Sequence, residues 1–91
     1  MNVVDDSAHH RFELYIDEER AGEIDYVIVG NDIHLTHTFI YPDRREHGLA
    51  ASFVVEVLTR IRSTSYRLVP DCPYIAHWLE TNHEFDELLG R

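Results

Sequence analysis

The chain has 91 residues, with 8 Arg, no Lys and 17 Asp plus Glu, for a net charge of −9; 44% of it is apolar and 27% charged. That is one globular domain with a modest core, and an acid surplus that argues against nucleic acid as a partner. No apolar run approaches the roughly 20 residues a bilayer span needs, and acid sits at Asp5 and Asp6 where a signal peptide carries base. One cysteine excludes an intramolecular disulfide and fits a reducing compartment, so the expected location is the cytoplasm.

Residues 1–9 are polar and are expected to form a flexible N-terminus, with a single domain over 10–91. Phe12, Leu14 and Ile16 alternate with Glu13 and Tyr15, the pattern of a half-buried strand. The polar stretch from Asp17 to Gly22 predicts a turn, and Ile24 to Val29 a second strand. Gly30-Asn31-Asp32 signals a tight turn into a third strand, Ile33 to Ile40. These three predict an antiparallel meander.

From Gly48 the period changes. Ala50, Phe53, Val54, Val57, Leu58 and Ile61 recur at three and four, while Ser52, Glu56, Thr59 and Arg60 fall on the other side. An amphipathic helix of about four turns is expected. Ser63-Thr64-Ser65 ends it, and Tyr66 to Val69 reads as a strand parallel to the third one after the helical crossover. Pro73 opens a short helix patterned by Tyr74, Ile75, Trp78 and Leu79, and His83 to Leu89 adds another turn or two. The fold class is therefore a small α/β domain.

Between the third strand and the long helix lies Tyr41-Pro42-Asp43-Arg44-Arg45-Glu46-His47-Gly48-Leu49-Ala50. A strand, a basic loop with glycine and a helix N-terminus make an anion site, because first-turn N–H groups point outward and the helix dipole adds positive potential. Gly48 allows close backbone approach, and Arg44 and Arg45 form the only adjacent cationic pair in the sequence. The plain alternative is an ordinary strand–loop–helix joint with solvated arginines.

Arg45-Glu46-His47-Gly48-Leu49-Ala50 resembles the Arg/Gln-x-x-Gly-x-Gly/Ala signature of the GNAT N-acetyltransferase superfamily. Thr36-His37-Thr38 upstream and Pro70-Asp71-Cys72-Pro73-Tyr74 downstream make the chain similar, over roughly residues 12–89, to the short single-domain GNAT-like branch. That resemblance implies a GNAT-like fold whose third strand and Tyr66–Val69 strand splay apart. It also implies acetyl-CoA as cosubstrate, with no metal, and acetyl transfer to an amine acceptor. Arg44, Arg45, Glu46, His47, Gly48, Leu49 and Ala50 would hold its pyrophosphate, and the free edge of Thr38, Phe39 and Ile40 its pantetheine arm. The branch usually carries an acid where this chain has Phe39, Gly where it has Glu46, and Lys or Gln where it has His47. An added negative side chain in a phosphate loop weakens anion binding unless it turns to solvent.

Two residues are candidates for the chemistry. Cys72 follows a strand end and precedes a helix start, a setting that promotes thiolate, although Asp71 beside it counts against a nucleophile. It could accept the acyl group, reprotonate the departing coenzyme A thiolate, or simply pack. His37 could deprotonate the acceptor amine, since imidazole titrates near neutrality; alternation places it with Leu35 and Phe39, opposite Thr36 and Thr38. His34, His77 and His83 read as structural or solvent-facing. A zinc site from His34, His37 and Cys72 fits no standard spacing. The alternative to an enzyme is a non-catalytic coenzyme A-binding or sensing module, because so short a chain leaves little to build an acceptor pocket.

Overall fold

Five strands and three helices follow one another along the chain in a computed structural model that describes residues 1–46 and 48–91. His47, one of the expected loop residues, lies outside the described residues. The strands are β1 (Asn2–Asp6), β2 (Arg11–Ile16), β3 (Glu19–Val29), β4 (Asp32–Ile40) and β5 (Arg67–Pro70); the helices are α1 (Leu49–Arg62), α2 (Pro73–Thr81) and α3 (Asp86–Leu89). The sheet order is β1-β2-β3-β4-β5, antiparallel up to β4, with β5 parallel to β4 after the α1 crossover.

The expected meander is present but has four strands instead of three. Asn2–Asp6, placed among the frayed residues, pairs with β2 in the register Val3↔Leu14. Only Val3 turns into the core, whereas Val4 is 40% exposed. One inward residue on an acidic edge strand is too little periodicity to read. The expected turn over 17–22 contracts to Asp17 and Glu18, whose φ values of 51° and 68° make a two-residue hairpin loop. Such a loop needs left-handed backbone at both positions, and here two acids supply it. Gly22, which reads as a turn residue, instead lies inside β3, where a Cβ would meet the Phe39 carbonyl at 2.6 Å.

All three helices pack on one side of the sheet. Phe53, Val57 and Ile61 of α1, Ile75 of α2 and Leu88 of α3 share a single apolar core with Leu14, Ile24 and Leu35. The shortest dimension, 20 Å, is what two layers make. The opposite side of the sheet carries polar side chains together with the exposed Val4, Val27 and Val29, and among the described residues no helix joins it. There Glu13 is 6% exposed although no helix covers it, because Arg11 Nε (2.8 Å) and the Tyr15 hydroxyl (2.9 Å) donate to its carboxylate.

A bulge in β4 controls which residues face which layer. Tyr26 pairs with Leu35, but Asp25 pairs with His37, so Thr36 is an extra residue. Side chains point alternately up and down a strand, so one extra residue exchanges the two sides. Ile33 and Leu35 face the helices before the bulge; Thr38 and Ile40 do so after it. His37 therefore shares a side with Phe39, as expected, but not with Leu35.

Asp32 and Arg67 pin the start of the β4–β5 pair with two hydrogen bonds of 2.9 Å each. Those bonds, and then the guanidinium charge, hold the Asp32 carboxyl below its usual range. Its unfolded form takes up a proton first, near pH 3.9, so the stability it contributes is present above that pH and lost as pH falls through the folded value. The urea midpoint should therefore drop between pH 6 and pH 3, and Asp32→Asn should drop less over the same interval.

Candidate functional site

The site follows from where β5 stops pairing. Its ladder with β4 ends at Leu35↔Pro70, and the Cys72 N–H then donates to the Leu35 carbonyl at 2.8 Å. Pro73, without an N–H to lose, takes the first position of α2 and carries the chain away. Beyond Leu35, among the described residues, no strand pairs with β4 on that edge, and Thr38, Phe39 and Ile40 border the opening. A cavity of about 290 Å³ lies there, lined by those three residues, Arg45, Glu46 and Ala50, with Tyr74 on the far wall.

Arg45 and Glu46, on the way into α1, form one wall of the cavity. Tight turns shape the loop that carries them, with Arg44 N–H donating to the Tyr41 carbonyl (2.8 Å) and Leu49 N–H to Glu46 (3.2 Å). Gly48 caps α1 with φ 76° and ψ −2°. A Cβ there would touch nothing within 4 Å, so backbone conformation and not crowding calls for glycine. Arg45 reaches the cavity: its Nε donates to the Ile40 carbonyl (3.0 Å), and its guanidinium lies 5.7 Å from the Phe39 ring centroid. Arg44 turns away to pair with Glu19 at 3.0 Å. Leu49 packs against the core, leaving its backbone as its contribution to the loop.

The two candidate catalytic residues are not brought together. Cys72 is 3% exposed and faces the helix layer, where its thiol donates to the Thr38 hydroxyl at 3.3 Å. His37 is exposed on the other side of the sheet, its ring parallel to Phe39 at 6.4 Å. Neither of them lines the cavity, which Thr38 and Phe39, between them in the chain, border. Among the described residues no group of three or more His, Cys, Asp or Glu is placed to hold a metal ion.

Two features stand differently from their first reading in the sequence. Tyr74, which helical spacing assigns to packing before a second role lining an acetyl channel, is 42% exposed and lines the cavity. Its place in the first turn after Pro73, at the end of a strand, was the available signal. His34 bridges to Asp71 at 2.9 Å across the point where β4 and β5 part, a pairing of residues far apart in sequence that no local pattern reveals. No helix among the described residues is long and apolar enough to cross a membrane.

In a comparison with known families, the family model described as GCN5-related N-acetyl-transferase matches residues 11–88. No curated protein matches the chain.

Proposed function

The chain belongs to the GCN5-related N-acetyltransferase family, and from that premise we propose that it binds acetyl-CoA and passes the acetyl group to an amine acceptor. The observation that carries this reading is the β4 edge left without a strand beyond Leu35, bordered by a cavity and by the N-terminus of α1. The residues fit such a ligand. A strand edge without a neighbouring strand, engaged only by Arg45 at the Ile40 carbonyl, offers backbone partners to pantetheine, and a 14-residue helix opened by a left-handed glycine offers N–H groups and dipole to pyrophosphate. Arg45 is the cation that lines the cavity among the described residues.

The thioester, when bound, supplies an electrophilic acetyl carbon. His37, or a water it orders, takes a proton from the acceptor nitrogen as the N–C bond forms. The C–S bond breaks, and the leaving thiolate needs a proton. Thr38 borders the cavity and accepts from the Cys72 thiol, so its own hydroxyl hydrogen is free to point at that sulfur. A relay from Cys72 through Thr38 then restores the thiol, and Cys72 regains its proton from water by the same path once coenzyme A has left the cavity. The burial of Cys72 supports this role over that of acyl acceptor. A coenzyme A-binding module without turnover is the second reading, favoured by the placement of Cys72, buried, and His37, exposed, on opposite sides of the sheet with neither lining the cavity.

Calorimetric titration with acetyl-CoA tests the assignment. The wild type should bind saturably, Arg45→Glu should bind at least roughly tenfold more weakly, and Cys72→Ala should bind as the wild type does. No binding by the wild type at millimolar ligand would end both readings; binding without consumption in the presence of amines would select the second.

A further inference from the structure

Building on the acetyl-transfer reading, we infer that Asp71, held by His34, is the receiving site for the acceptor's ammonium group, and that the acceptor is a lysine side chain of a partner polypeptide laid on the helix-free side of the sheet. Pro70 is the last β5 residue paired with β4, so Asp71 stands where the two strands part. Cys72 turns toward the helices, and Asp71 turns the other way, where the His34 ring nitrogen meets its Oδ2 at 2.9 Å. The side chain remains 51% exposed. One carboxylate oxygen is thus fixed by imidazole, while the other is available at the outer mouth of the opening. His37 and Asp25 stand on the same side, paired across β4 and β3.

The form of this surface selects the acceptor. Among the described residues no helix roofs it, so a small free amine would be held from one side only. A lysine side chain fits better, because its backbone can lie on the open sheet while four methylenes carry the nitrogen into the gap. Charge agrees, since a carboxylate at the mouth of a protein of net charge −9 attracts basic segments and repels acidic ones. None of the 91 residues is a lysine, so no lysine side chain of this sequence competes for the site. Asp71 binds and orients the ammonium, which gives one proton to solvent at this open surface to become the nucleophilic amine; His37 then takes the second proton as the N–C bond forms.

Amide NMR titration with the blocked pentapeptide Gly-Gly-Lys-Gly-Gly, alongside its Nε-acetyl form and spermidine, is the test. The lysine peptide should shift the signals of His34, His37 and Asp71, and the acetylated peptide should shift them far less. Asp71→Asn should weaken the lysine peptide by about fivefold while leaving coenzyme A affinity, measured by calorimetry, unchanged; the second measurement also verifies folding. Shifts confined to the helical side would overturn the inference, as would equal peptide affinity in Asp71→Asn or no peptide binding at 10 mM in the wild type, a concentration on the order of the weakest specific contacts. Spermidine binding in place of the peptide would reassign the acceptor to a free polyamine and refute the polypeptide. Loss of coenzyme A binding in Asp71→Asn would move Asp71 to the cofactor's side. If the wild type binds the peptide at Asp71 but no coenzyme A, the transfer reading fails and the ammonium site stands.

Discussion

Gly22→Ala should destabilise the protein by about 2 kcal/mol, a fall in Tm of roughly 8–16 °C for a domain of this size. A methyl group at this position meets the Phe39 carbonyl oxygen at 2.6 Å and the Ile40 Cδ1 at 2.8 Å. The Ile40 side chain can rotate aside, but a backbone carbonyl in a paired strand cannot move without moving the strand. Gly22 pairs with Ile40, so the displacement falls on the part of β4 assigned to pantetheine. Acetyl-CoA affinity should therefore fall in the same variant at temperatures where it remains folded. Thermal unfolding followed by calorimetry reads both effects. An alanine protein with unchanged Tm would mean that β3 and β4 stand further apart than 2.6 Å implies.

Glu13→Ala should be the second large loss, about 2 kcal/mol, read as a lowered urea midpoint. Removing the carboxylate strips Arg11 Nε and the Tyr15 hydroxyl of their partner and takes away the charge that faces Arg20 at 3.7 Å. Arg20 Nε already lacks a partner among the described groups, so this cluster has little spare acceptor capacity. Glu13→Gln keeps the shape with one acceptor oxygen and should lose about half as much. The hydrogen bond to Glu13 is also what raises the Tyr15 pKa, burial adding to it, so either substitution should lower the pH at which that phenol ionises. Spectrophotometric titration of the tyrosines checks this.

Much of the fold could be read because side-chain period tracks burial where one face is apolar. Phe53, Val54, Val57, Leu58 and Ile61 are the buried face of α1, as spacing implies, and Phe12 and Leu14 are the inward face of β2. Elements held by backbone pairing instead of apolar surface escaped notice. β1 is the example, with Val3 as its one buried side chain. The bulge at Thr36 escaped for another reason. Bulges are signalled by glycine when the backbone turns left-handed, and Thr36 keeps an ordinary conformation, so nothing in Thr36-His37-Thr38 marks the exchange of sides. The loop and strand edge were legible as motif, and Thr38, Phe39, Ile40, Arg45, Glu46 and Ala50 do gather around one cavity. The direction of Arg44 toward Glu19 and the contact between Cys72 and Thr38 depend on residues distant in sequence, which periodicity cannot reach.

The bulge in β4 has a consequence for how such a protein can change over generations. On the proposed reading, neighbouring residues of one strand serve different reactants: Thr38 stands with the cofactor and Cys72, and His37 with the acceptor. A substitution at one position alters the surroundings of one reactant and leaves the other's intact. Preference for acceptors can then drift by single steps while the acyl donor stays the same. A fold with helices on both sides of its sheet would couple those two histories through a shared core.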